Sequence, residues 1–97
     1  MLILNGIVPS STTAGWFGYL EDVTRIEGLE KLNKENVSDM SYMFWYDENL
    51  TILDISNFML SSTTNVEDMF YKVNCRITIN NDMWTDEMKI NSRYEER

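Results

Sequence analysis

The chain has no histidine, a single cysteine (Cys75), a single proline (Pro9) and only four glycines in 97 residues. Without histidine it lacks both the side chain used most often as a general base near neutral pH and the commonest metal ligand. One cysteine excludes an internal disulfide, so cysteine usage says nothing about the redox compartment. Positive charge is scarce too: eight Lys and Arg against sixteen Asp and Glu leave a formal charge of −8. Nucleic-acid backbones are gripped by basic surfaces, so a direct nucleic-acid partner is excluded. Residues 1–20 carry no charged side chain, but Met1–Val8 has no basic flank and is interrupted at Asn5-Gly6. It is a poor signal peptide and far too short to cross a bilayer, so membrane insertion is not expected.

What is present is ordinary globular material, 43% hydrophobic and 25% charged, which is too apolar for a disordered chain. A chain this short forms one domain and buries roughly 60–65% of its unfolded surface, which leaves a thin stability margin. Its organising feature is a near-repeat. Asp39-Met40-Ser41-Tyr42-Met43-Phe44 is answered 26 residues later by Asn65-Val66-Glu67-Asp68-Met69-Phe70, with a fainter copy ending at Trp16-Phe17-Gly18. Stepping by 26 links Thr12, Ser38 and Thr64, then Ala14, Met40 and Val66, then Phe17, Met43 and Met69. A fixed period in this range is the signature of a repeated supersecondary unit that buries its apolar side on its neighbours. It favours an interaction scaffold over a single catalytic pocket.

Each copy divides into two halves. Ser38 and Thr64 have the chemistry of helix N-caps, Thr64 with Glu67 at capping-box spacing, and Thr12 opens the first copy in the same place. Met40, Met43 and Phe44 fall at i, i+3 and i+4, predicting short helices with one apolar stripe. That recurring stripe, with Met69 and Phe70, reads as core. In the other half, Leu53 and Ile55 alternate with Ile52, Asp54 and Ser56, as in a strand with one buried face, and Leu50-x-x-Leu53-x-Ile55 has the spacing of a leucine-rich-repeat strand. Val23 and Ile26 are the first-copy counterparts at an offset of 27, with Gly28 marking a one-residue irregularity. Ile77 and Ile79 are the third-copy counterparts. Leu2-Ile3-Leu4, Asn5-Gly6 and Ile7-Val8 read as a hairpin. After Asn80 the pattern is lost, apart from one helical turn suggested at Thr85-Asp86-Glu87-Met88. The expected organisation is an N-terminal cap over 1–11, about two and a half repeats over 12–79, and a C-terminal cap or tail over 80–97. The expected fold class is α/β: a short leucine-rich-repeat-like solenoid with a parallel strand ladder, short helices and degenerate capping ends.

At these residues the chain resembles the BspA-like 26-residue repeats of bacterial surface proteins. Leu50 to Phe58 matches the strand half of that unit, and Asn36 to Phe44 its helix half. Ile26-Glu27-Gly28-Leu29-Glu30-Lys31-Leu32 is similar to the variant of a first repeat. Met59-Leu60 and Ser62-Thr63 depart from the pattern and suit a terminal copy. The resemblance implies a cell-surface location and a role in adhesion or recognition.

Candidate site residues follow from the outward strand positions: Arg25, Ile52 and Arg76 in one column, Glu27, Asp54 and Thr78 in the next, with Ser56 beside them. Trp45, Tyr46 and Tyr71 form a second candidate set, because aromatic residues at outward turns can anchor partners. Asp47-Glu48 lacks the ligand alternation of a calcium loop and reads as a solvated acidic turn. Cys75 reads as a small core residue. No nucleophile motif or phosphate loop accompanies the missing histidine, so the chain is expected to be no enzyme and to need no cofactor. Its expected partner is another protein, bound through a recognition surface. The alternative is a small acidic inhibitor, encoded by a mobile element, that blocks a basic nucleic-acid-binding protein.

Overall fold

The computed structural model describes residues 2, 3, 12–31 and 37–96. Residues 40–47 show how the repeated unit folds. Their amides alternate between two kinds of partner. Those of Met43, Trp45 and Asp47 donate to the carbonyls of Met40, Tyr42 and Phe44, three residues back, at 3.1–3.3 Å. Those of Met40, Tyr42, Phe44 and Tyr46 reach across to the carbonyls of Asn65, Glu67, Met69 and Tyr71 at 2.8–3.0 Å. An α-helix would direct each amide to the carbonyl four residues back. Here every second amide is used to join one copy to the next. Tyr42 and Tyr46 take φ of 57° and 62°, as do Gly15 and Tyr19 upstream (69° and 58°) and Asp68 and Lys72 downstream (49° and 63°). A left-handed residue costs an L-amino acid roughly 1–2 kcal/mol and cannot sit inside a right-handed helix. The segment is therefore a run of tight turns.

The expected caps shift with it. Side-chain oxygens of Thr12, Asp39 and Asn65 accept from the amides of Ala14, Ser41 and Glu67 at 3.0–3.1 Å, the two-residue reach of an Asx or Ser/Thr turn. Ser38 and Thr64 are not helix caps, and Thr64 Oγ1 instead accepts from the Ser61 amide at 3.0 Å. Parallel bridges join Thr12 to Asp39 and Asp39 to Asn65. The first offset is thus 27 and only the second is 26. Phe17 accordingly aligns with Phe44 rather than Met43. Phe17, Phe44, Phe70 and Trp84 stack in sequence, with centroids 5.7, 6.2 and 5.7 Å apart. Met40, Met43, Phe44, Met69 and Phe70 are fully buried around this stack, and Cys75 is buried beside it.

Among the described residues, four strands complete the layout: β1 (Leu2–Ile3), β2 (Ile26–Glu27), β3 (Ile52–Asp54) and β4 (Arg76–Thr78). β1 pairs parallel with β2, and β3 parallel with β4 in the register Ile52↔Arg76, Leu53↔Ile77, Asp54↔Thr78. Leu53 and Ile77 point inward and their neighbours outward, the period-2 alternation of a strand. Between β2 and β3 the ladder is interrupted. There Thr51 donates, through both amide and hydroxyl, to the Thr24 carbonyl at 2.8 and 3.1 Å. Gly28, at φ 89°, ends β2 and leads into a 3-10 turn over Leu29–Lys31.

These findings overturn the expected α/β leucine-rich-repeat-like solenoid. Among the described residues there is one short α-helix and two separate two-stranded parallel pairs. There is no continuous ladder, and no helix begins at Thr12, Ser38 or Thr64. The cause is local: a two-turn helix is too short to be stable alone, and bonds between copies satisfy the same amides while packing the phenylalanine rings. Of the hairpin expected at Leu2–Val8, Leu2–Ile3 pairs parallel with β2, and the turn and returning strand lie outside the described residues.

The helix α1 is Asp86–Ser92. Thr85 caps it by accepting from the Met88 amide at 3.1 Å, and Asp86 and Glu87 favour its positive end. Its last turn receives the amides of Asp68 and Phe70 on the carbonyls of Asn91 and Ser92, both at 2.9 Å. Trp84 and Met88 join the core there.

The left-handed positions allow a direct check. Lys72→Val should destabilise the protein by more than about 1 kcal/mol, because a β-branched residue resists positive φ. Lys72→Gly should be neutral or stabilising. Equal losses from both, measured by urea unfolding, would show that the turn backbone is not held in this conformation.

Candidate functional site

Two surfaces and one buried acid stand out. On the strand side, Ile52 is 54% exposed and lies in register with Arg76, as Asp54 does with Thr78. The Asp54 carboxylate is already occupied by the Ser56 amide and hydroxyl at 3.0 and 2.7 Å. Arg25 and Glu27 are exposed and form an ion pair at 2.8 Å, of a kind that contributes little. They belong to the other strand pair, so the two expected columns are each broken between β2 and β3.

On the turn side the aromatic residues come together. The Tyr19 and Tyr46 rings stack at 4.7 Å with an interplanar angle of 4°. Trp45 meets both edge-on at 4.8 Å. Tyr71 meets Tyr46 edge-on at 5.4 Å, and Tyr42 meets Trp45 at 5.8 Å. Trp45, Tyr46 and Tyr71 are half-buried, while Tyr19 is 53% exposed. The Lys72 ammonium lies over the Tyr71 ring, 5.8 Å from its centroid. Burial raises the pKa of the Tyr46 phenol above its ordinary value, helped by the neighbouring Tyr71 and Tyr19 and by Glu48. The pKa of the Tyr42 phenol is raised chiefly by the charge of Glu67, then by burial and by Asp68. Both phenols therefore remain protonated donors at neutral pH.

Beside the Tyr19–Tyr46 stack is an open hollow of about 370 Å³, lined by Tyr19, Glu21, Asp22, Tyr46, Glu48 and Asn49. Its two walls, residues 19–22 and 46–49, are tied together in two places. The Asn49 side-chain amide donates to the Glu21 carbonyl. Asp47 Oδ1 accepts from the Leu20 amide at 2.8 Å.

Asp47 is not the solvated turn residue expected next to Glu48. It has no exposed surface, and its Oδ2 has no hydrogen-bond partner among the described residues. Burial pushes its carboxyl up to about 7, against the opposing pull of the Leu20 amide. A signal for this existed: with offsets of 27 and 26, Asp47 aligns with Leu20 and Val73, two apolar residues. The same alignment pairs Tyr19 with Tyr46 and would have added Tyr19 to the candidate set.

Residues 16–94 match the family described as "Mycoplasma protein of unknown function, DUF285", a span covering most of the first turn segment, the two that follow it and α1. The chain belongs to that family. No curated protein and no solved structure matches it. Among the described residues, no helix is long and apolar enough to cross a membrane.

Proposed function

We propose that the chain is a non-enzymatic protein-binding module whose contact surface is the aromatic face around Tyr46. The observation that supports this is the mutual packing of Tyr19, Trp45, Tyr46 and Tyr71 on a partly exposed face. Rings held by one another lose little further freedom on docking, and Tyr and Trp are enriched among residues that dominate binding energy. The strand face offers less, being three residues deep and interrupted after β2. The likeness of residues 36–44 and 50–58 to BspA-like repeats supports recognition at a cell surface. A second reading, an acidic inhibitor of a basic nucleic-acid-binding protein, is favoured by the charge of −8 and by the carboxylates beside the rings.

The immobilised chain should retain a protein from extracts of its own cells or of a host surface. Trp45→Ser and Tyr71→Ser should lose that protein with the circular dichroism spectrum unchanged, while Ile52→Ser and Asp54→Lys keep it. Loss from the strand variants alone would move the contact surface to the strand columns. Retention unchanged by all four would overturn the reading.

A further inference from the structure

We infer that the hollow between residues 19–22 and 46–49 receives an arginine side chain of the protein partner. This rests on the aromatic face being the contact surface and adds the chemistry of what it contacts. One wall is a pair of parallel tyrosine rings, Tyr19 and Tyr46, 4.7 Å apart. The rest of the lining brings Glu21, Asp22, Glu48 and Asn49 and, among the described residues, no lysine or arginine. An electron-rich ring face attracts a cation, and attracts it more strongly where carboxylates stand nearby to accept its hydrogen bonds.

The neighbouring copy already shows the ring half of this arrangement. Lys72 occupies the position aligned with Tyr46, at the same left-handed backbone conformation, and its ammonium lies over Tyr71. One and two copies away along the same face, the aligned positions carry Tyr46 and Tyr19 instead, and among the described residues the hollow's lining supplies no cation.

The geometry favours guanidinium over ammonium. Arginine presents a flat group that can lie against a ring while its edge donates two hydrogen bonds to a carboxylate; lysine presents a strongly hydrated point charge. The walls are held for that purpose by Asp47 Oδ1 on the Leu20 amide and by Asn49 on the Glu21 carbonyl. The Tyr46 ring is in turn packed edge-on against Trp45 and Tyr71, so the ring wall is in place before a ligand arrives.

The test uses the whole chain and three blocked tripeptides: tri-arginine, tri-lysine and tri-citrulline, the last keeping the shape of arginine without its charge. Binding is followed by tyrosine and tryptophan fluorescence at fixed salt. Tri-arginine should bind about threefold or more tighter than tri-lysine, and tri-citrulline should not bind. Tyr19→Ala, and separately the triple variant Glu21→Gln/Asp22→Asn/Glu48→Gln, should each weaken tri-arginine about tenfold. The control triple Glu30→Gln/Asp82→Asn/Glu96→Gln, which removes the same net charge elsewhere, should have little effect. Thermal melts of every variant separate lost binding from lost folding. Equal affinity for arginine and lysine with equal loss from both triples would reduce the effect to general attraction by an acidic protein and overturn the inference. So would the absence of tri-arginine binding. If tri-arginine fails while Trp45→Ser and Tyr71→Ser still release the retained protein, the arginine receptor falls and the aromatic contact surface stands.

Discussion

Asp47→Asn is expected to stabilise the protein by about 4 kcal/mol at pH 8 and by almost nothing at pH 4. The Asp47 carboxyl is buried and titrates near 7 instead of 3.8. The folded chain therefore holds this proton more tightly than the unfolded chain does. The sign follows from linkage: the contribution of Asp47 is fully present below about pH 4, declines as pH rises toward 7, and stays lost above that. At about 1.4 kcal/mol per pH unit, the interval corresponds to about 4 kcal/mol. Asparagine keeps an Oδ1 for the Leu20 amide and carries no charge at any pH. Its amide nitrogen replaces Oδ2, which has no partner among the described residues, and an unsatisfied buried donor costs about 1–3 kcal/mol. The Oδ2–H of the protonated acid is the same kind of unsatisfied donor, so this cost is common to both chains at pH 4 and the variant keeps the full interval at pH 8. Urea unfolding of parent and variant at pH 4, 6 and 8 checks the claim. The diagnostic quantity is their difference, because the repulsion among the other carboxylates is common to both. A difference that is constant with pH would mean that Asp47 does not titrate as a buried acid. A variant less stable than the parent at pH 8 would mean that the hydrogen-bond geometry outweighs the charge.

Asp47 also shows what the sequence conceals. Read with its neighbour Glu48, it is an acidic turn; read against Leu20 and Val73, it occupies an inward position. The second reading needs the correct offset, and a uniform period of 26 hides it because the first interval is 27 residues long. The core residues Met40, Met43, Phe44, Met69 and Phe70 were legible regardless, since an apolar triplet at i, i+3 and i+4 faces inward from a helix and from this run of turns alike. That same equivalence is why the backbone was not legible. The distinguishing signal is conformational: Tyr42 and Asp68 stand at left-handed positions, and only Gly15, aligned with them, advertises the requirement. The strand register was readable from Leu53 and Ile77, whose neighbours alternate. The break between β2 and β3 was not, because nothing in Val23 to Gly28 announces where pairing stops. On the turn face, Trp45, Tyr46 and Tyr71 were visible as aromatics at an outward bend. Tyr19 was missed because a step of 26 pairs it with Trp45 rather than with Tyr46.

Phe44→Ala and Phe70→Ala should each cost about 3–5 kcal/mol, the range for truncating a fully buried aromatic ring. Phe44 has no exposed surface and Phe70 almost none. They are the two inner members of the stack from Phe17 to Trp84, so each removal opens a gap between rings on both sides. Collapse cannot readily close it, because the backbone on each side is fixed by the amides that cross between copies. For a domain of this size the total stability is about 5–15 kcal/mol, so either truncation removes a large part of it. The melting temperature should fall by more than about 12 °C, at roughly 4–8 °C per kcal/mol. Tyr46→Ala is the comparison. Its ring is only half-buried, and its loss should cost much less. Because Phe44 and Phe70 touch, with centroids 6.2 Å apart, the double variant should depart from the sum of the single ones by about 0.5 kcal/mol or more. If all three single variants melt within a degree or two of the parent, the copies do not share one core. Their stacking would then contribute little to holding the aromatic face in place.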